Sequence, residues 1–189
     1  MPRIQRLARN QVSAQSAAIY DRYLRERGNV PNFFRTMANR PAIFETMIAH
    51  FEAILTTGSL TTALKELVIV RTSQLNHCEY CLDSHSKLAR KLGWSADQLA
   101  ALPNSAASPL FTDAEKAALH FAEKMTLDST NFSDAEFSAL RAHYSEGEIV
   151  ELVAAIGIFN YFNRVNNVLK MEPTQPLTAE EIASGGFKL

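Results

Sequence analysis

From Ser13 to Leu169 the apolar residues recur at helical spacing, and strand-like alternation is scarce. That pattern confines the chain to an all-α bundle. Its punctuation sets the elements. Ser13 to Arg27 reads as a helix ended by Gly28, and Val30-Pro31-Asn32 as a break. A short helix follows over Phe33 to Asn39. The next opens at Pro41, shows Ile43, Phe44, Met47, Ile48, Phe51 and Leu55 on one face, and ends at Gly58. Ser59 to Leu75 is a helix with Leu64, Leu67, Val68 and Val70 inward. Asn76 is placed to cap the helix after it, with Glu79 as capping-box partner and Gly93 as terminator. Ser95 caps a short helix to about Leu102, and Pro103 to Pro109 is a small-residue linker. Thr112 with Glu115 opens Asp113 to Leu127, and Ser133 with Glu136 opens Asp134 to His143. A long helix over Glu146 to Leu169 carries Phe159, Tyr161 and Phe162. Met171 to Leu189 reads as an arm with one short helical piece. No internal repeat is clear.

A chain of 189 residues, 47% hydrophobic and 21% charged, can bury a core without staples, and one domain over 1–189 is expected. A net charge of −1 gives no bulk attraction to nucleic acid or to an anionic membrane. No apolar run is long enough to span a bilayer. The first twenty residues hold Arg3, Arg6 and Arg9 and no acid, without the apolar core of a secretory signal. A first helix is expected there, the alternative being an organelle-targeting segment.

Both cysteines of the chain, Cys78 and Cys81, stand in one Cys-x-x-Cys pair, and His85 follows four residues later. Two adjacent thiols do not staple a secreted fold. They point to thiol chemistry in a reducing, cytoplasmic compartment. On a helix begun at Asn76, Cys78 lies in the first turn, and Cys78, Cys81 and His85 share a face. A tight connection after Leu75 makes the two helices an antiparallel hairpin, the core of the chain at about 59–93. Residues equidistant from the turn then lie level: Glu66 with His85, Val70 with Cys81, Ser73 with Cys78. Glu66 can orient the His85 imidazole, and His85 can take a proton from Cys81. The helix N-terminus, in contrast, favours negative charge on Cys78. These two arguments select different sulfurs. Tyr80, Ser73 and His77 are candidate accessory groups. His50, His120 and His143 have no such company and read as surface or polar-face residues.

Other readings of the same residues are inert core cysteines, a zinc site made of Cys78, Cys81, His85 and Glu66, or pairing of Glu66 with Arg71 or a lysine on the helix surface.

Glu66, the twelve-residue step to Cys78, and Cys78-x-x-Cys81-x-x-x-His85 resemble the alkylhydroperoxidase D-like core of the carboxymuconolactone decarboxylase family. Val30-Pro31-Asn32-Phe33-Phe34, the entry to the Pro41 helix and Asn160-Tyr161-Phe162-Asn163-Arg164 resemble its peroxidase-related branch. The resemblance implies an all-helical fold that forms homo-oligomers. It also implies a thiol-dependent peroxidase for small organic hydroperoxides, needing no organic cofactor and no metal. Cys81 would attack the peroxide, Cys78 would resolve the sulfenate as a disulfide, and Glu66 and His85 would relay protons. A protein or small-molecule thiol would regenerate the pair. The alternatives are a carboxymuconolactone decarboxylase-like lactone enzyme and a non-enzymatic redox-sensing or zinc-binding module. One position departs from the family pattern. Members with peroxidase chemistry carry histidine just before the second cysteine, where this chain has Tyr80. A tyrosine can hydrogen-bond but is a poor proton acceptor near neutral pH. Either the relay is shorter or the natural reaction is disulfide exchange.

Overall fold

The computed structural model describes residues 2–175, so most of the expected C-terminal arm, from 176 on, lies outside the described residues. Among the described residues the elements are helices and short 3-10 turns, with no strand. The chain is all-α, as its periodicity requires. It divides into two compact units, one running to Phe51 and resuming at Val168, the other spanning Glu52–Asn167.

In the first unit, α1 (Ala14–Arg27) is capped by Ser13, whose hydroxyl accepts from the Ser16 N–H, and ends at Gly28 in the left-handed region (φ 72°). α2 (Asn32–Met37) and α3 (Pro41–Thr56) follow. Tyr23, Phe34, Phe44 and Phe51 pack edge to face, with Tyr23 and Phe34 centroids 4.7 Å apart. The Asn32 amide donates to the carbonyls of Glu172 and Pro173, which holds the described part of the arm on this unit.

The second unit holds the redox segment. α4 (Thr62–Leu75) is its centre: every residue from Lys65 to Ser73 is buried, so this helix is covered all round. It packs against α5 (Glu79–Lys91) and α7 (Asp113–Leu127). Between them lie α6 (Ala96–Ala101) and a 3-10 turn over Leu102–Asn104, at the start of the segment that reads as a linker. Leu67, Val70, Ala89, Leu99, Leu102, Phe111 and Leu119 form one core cluster. α8 (Asp134–Arg141) and α9 (Glu146–Leu169) are the last helices among the described residues, and the Ser133–Glu136 and Thr112–Glu115 capping boxes are both formed.

Several boundaries shift from the sequence reading: α2 covers Asn32–Met37 rather than Phe33–Asn39, α8 ends at Arg141 rather than His143, and two further shifts bear on the hairpin. α4 starts at Thr62 rather than Ser59, because the Ser59 and Leu60 N–H groups donate to the Glu151 carboxylate instead of entering a helix. Gly58 (φ 92°) makes room for that carboxylate, which a Cβ would strike. Glu151 also pairs with the buried Lys65 at 2.8 Å. The second difference is the cap of α5, which is Cys78 and not Asn76. Reversing the chain after α4 takes one left-handed residue, His77 (φ 52°). Helical geometry therefore begins only after Cys78.

Candidate active site

Local chain geometry builds the dithiol first. Cys78 is extended (φ −93°, ψ 90°), and its N–H donates to the Ser73 carbonyl at 3.0 Å. Its sulfur takes the place that a serine or aspartate oxygen holds at an N-cap, accepting the Cys81 N–H at 3.4 Å. The cap residue and the third helical residue are thereby drawn together. The two sulfurs lie 2.9 Å apart, both free thiols and both buried.

α9 supplies the surrounding amides. Asn166 Nδ2 donates to Cys81 Sγ at 3.2 Å. Asn163 Nδ2 donates to Ser73 Oγ at 3.1 Å, and Asn163 Oδ1 accepts from Asn76 Nδ2 at 3.1 Å. Asn76 Nδ2 also reaches Asn160 Oδ1 and its own helix at Thr72 O. Asn76 thus ends α4 and ties the turn to α9, which is why it cannot cap α5.

The resulting electrostatics are asymmetric. The hydrogen bond from Cys81 is the largest influence on Cys78 and brings its pKa down to about 7. The Cys81 N–H and the Asn163 and Asn166 amides act in the same direction, while burial opposes them. Cys81 is pushed well up, first by donating that bond, then by burial and the charge on Cys78. The first proton lost from the pair therefore leaves its charge on Cys78.

Glu66 and His85 meet as level residues of the α4–α5 hairpin, His85 Nδ1 lying 2.7 Å from Glu66 Oε2. Nδ1 thus faces the carboxylate, and Nε2 lies on the other side of the ring. The ring stands edge-on to Phe159 at 4.7 Å. Glu66 is wholly buried, and Arg71, its partner in the alternative reading, pairs with Glu123 instead. Among the described residues His85 makes no hydrogen bond to either sulfur, so the two pairs are distinct. Two buried acceptors here, Glu66 Oε1 and Asn166 Oδ1, have no partner among the described residues.

The accessory candidates separate. Ser73 is buried in the amide network, Tyr80 is buried beside Cys81 in sequence, and His77 is exposed at the turn. Away from the site, His120 pairs with Glu136 at an exposed position. Asn163 and Asn166 are the functional candidates whose contacts the sequence reading missed. Their signal is amides at 160, 163 and 166, each three residues apart, along a helix that also buries Phe159 and Phe162. Among the described residues no three His, Cys, Asp or Glu side chains converge as a metal-holding group, and no helix is long and apolar enough to cross a membrane.

Comparison with known proteins agrees with this architecture. The model of the carboxymuconolactone decarboxylase family matches residues 41–124. The uncharacterized protein YdfG of Bacillus subtilis is 34% identical over 110 residues, covering 58% of this chain and 75% of YdfG. A peroxidase-related protein with an alkylhydroperoxidase AhpD core from Ralstonia eutropha JMP134 is 28% identical, with 92% of this chain and 93% of that chain covered and a TM-score of 0.82. The debrominase Bmp8, 23% identical with 96% and 94% covered and a TM-score of 0.77, shares the fold. With its Cys78–Cys81 segment on a buried helical hairpin of this fold, the chain belongs to the carboxymuconolactone decarboxylase family and has its alkylhydroperoxidase D-like architecture.

Proposed function

We propose that this protein is a thiol-dependent peroxidase that reduces small organic hydroperoxides through a Cys78/Cys81 dithiol–disulfide cycle. The observation that carries the reading is the contact of the two free thiols at 2.9 Å, with the Asn166 amide donating to one of them. A thiolate is the reactive form, and this pair yields one near neutral pH. In the cycle Cys81 attacks the terminal peroxide oxygen, the O–O bond breaks, and an alcohol leaves with a proton. Cys81 becomes a sulfenic acid. Cys78 then attacks that sulfur, an S–S bond forms and water departs. Two thiols and one hydroperoxide give a disulfide, an alcohol and water, so the peroxide gains the two electrons the sulfurs lose. An external thiol reductant restores the pair. Glu66 and His85 form the proton relay, working through solvent or substrate because no direct bond reaches sulfur.

The negative charge rests on Cys78, whereas the family resemblance assigns attack to Cys81. Passage of a proton between sulfurs that lie 2.9 Å apart reconciles the two. We also assign a homo-oligomer, since Val150, Val153 and Tyr161 leave apolar surface exposed along α9.

The test is mass spectrometry before and after one equivalent of cumene hydroperoxide. Loss of two hydrogens, mapped to a Cys78–Cys81 disulfide, is the expected result. Cys81→Ser should not consume peroxide, and Cys78→Ser should consume one equivalent and hold a sulfenic acid on Cys81. A protein whose thiols titrate as free but remain unchanged by the hydroperoxide overturns the assignment. A sulfenic acid only on Cys78, in the reciprocal variant, reverses the two roles.

A further inference from the structure

The Asn166 side chain is almost fully buried, at 3% exposure, yet only one end of its amide is used. Nδ2 donates to Cys81 Sγ at 3.2 Å, while Oδ1 has no partner among the described residues. A buried acceptor left empty carries the full desolvation cost of that group. Such an atom beside a reactive sulfur points to a ligand with a donor. Glu66 Oε1, a second acceptor at the site with no partner among the described residues, belongs to a carboxylate already engaged with His85.

We infer that Asn166 is a catalytic residue of the dithiol site: its amide N–H steadies Cys81 Sγ as that sulfur takes negative charge, and its free Oδ1 receives the O–H of the hydroperoxide. This rests on the peroxidase reading and gives it a substrate-positioning group. The geometry is economical. Amide N and O lie roughly 2.2 Å apart from the bond lengths, so one amide edge faces sulfur and peroxide together. In a hydroperoxide the oxygen that carries the hydrogen is also the one a thiolate attacks. Holding that O–H on Oδ1 therefore sets the electrophilic oxygen beside Cys81 Sγ, where attack begins at about 3–3.5 Å. Sulfur forms the S–O bond, the O–O bond breaks, and the alkoxide leaves to take a proton from solvent. The transferred hydroxyl stays on Oδ1 as the O–H of the sulfenic acid, which keeps the sulfur aligned for Cys78. The same N–H lowers the cost of moving the shared proton from Cys81 to Cys78.

The experiment uses the Cys78→Ser protein, in which Cys81 is the only thiol. Two reagents are compared, cumene hydroperoxide and methyl methanethiosulfonate. Both need the thiolate, but the second has no hydrogen-bond donor for Oδ1. Asn166→Leu keeps the size and removes both ends of the amide. It should slow both reactions, and the peroxide reaction about tenfold more than the thiosulfonate reaction, the worth of one hydrogen bond. Asn166→Asp keeps the acceptor and loses the donor. It should slow both reactions while leaving their ratio near that of the unsubstituted residue. Asn166→Ala repeats the deletion should the leucine variant fail to fold. Equal slowing of both reagents in the deletion variants, or none, overturns the inference. If the protein with Asn166 intact reacts with the thiosulfonate but with no hydroperoxide, the peroxidase reading itself falls and takes the inference with it.

Discussion

Replacing Cys81 by alanine should abolish the readily formed thiolate of Cys78. Cys78 stands at about 7, against an ordinary value of 9.0, and the bond from Cys81 is the largest reason. At about pH 7 that makes roughly half of Cys78 thiolate, where an ordinary thiol would be on the order of one hundredth ionised. Cys81→Ala deletes the S–H donor but keeps the backbone N–H that caps onto the Cys78 sulfur. Burial, which opposes ionisation, is then no longer offset by its main opponent. The midpoint should return to 9 or above, and thiolate near neutral pH should drop by about fiftyfold. Ultraviolet thiolate absorbance against pH, together with the rate of bromobimane labelling, reads this directly. Stability should follow. Between about 7 and 9 the folded protein binds fewer protons at Cys78 than the unfolded chain, so stability rises with pH there. Above 9 the raised Cys81 keeps a proton that the unfolded chain loses, so stability falls again. Urea midpoints should therefore peak near pH 9, and the peak should vanish in Cys81→Ala. A midpoint still near 7 in that variant would refute the shared-proton account. It would leave the helix terminus and the amides as the source of acidity.

Two further outcomes are expected. Glu66→Gln and His85→Gln should each slow peroxide turnover, by up to about 10²–10⁴-fold for the histidine. The double variant should be hardly worse than the worse single one, since the two side chains are one 2.7 Å unit; effects that multiply independently would remove the relay. Sedimentation at micromolar concentration should give a mass well above the 21.0 kDa of one chain, and a mass at that value would refute the homo-oligomer.

The fold was legible where its causes are local. Gly28 ends α1, Thr112–Glu115 and Ser133–Glu136 open α7 and α8, and Glu146–Leu169 is one helix as its periodicity requires. The hairpin register was legible too, because equal spacing about the turn is a matter of counting; it sets Glu66 against His85. The two boundaries misplaced at the hairpin have remote causes. Ser59 looks like a helix start, but its N–H is taken by Glu151, 92 residues on. Asn76 looks like a cap, but its amide is taken by Asn160 and Asn163, 84 and 87 residues on. A short polar side chain chooses between its own backbone and a distant partner, and only the folded chain shows which it meets.

That same competition shaped the site. With Asn76 drawn to α9, the duty of capping α5 falls to Cys78, the first residue past the left-handed His77. A sulfur in an N-cap position is both held by a backbone N–H and brought against the third residue of its helix, which here is the second cysteine. The contact of the two thiols is therefore a consequence of the turn and not of the motif alone. A Cys-x-x-Cys pair set wholly inside a helix would lack this cap. Moving the helix start back to Asn76 would carry Cys78 into the first turn and remove the bond its sulfur accepts from the Cys81 N–H. The amides at Asn160, Asn163 and Asn166 thus act twice on the dithiol: through Asn76 they decide where α5 begins, and through Asn166 they touch the sulfur itself.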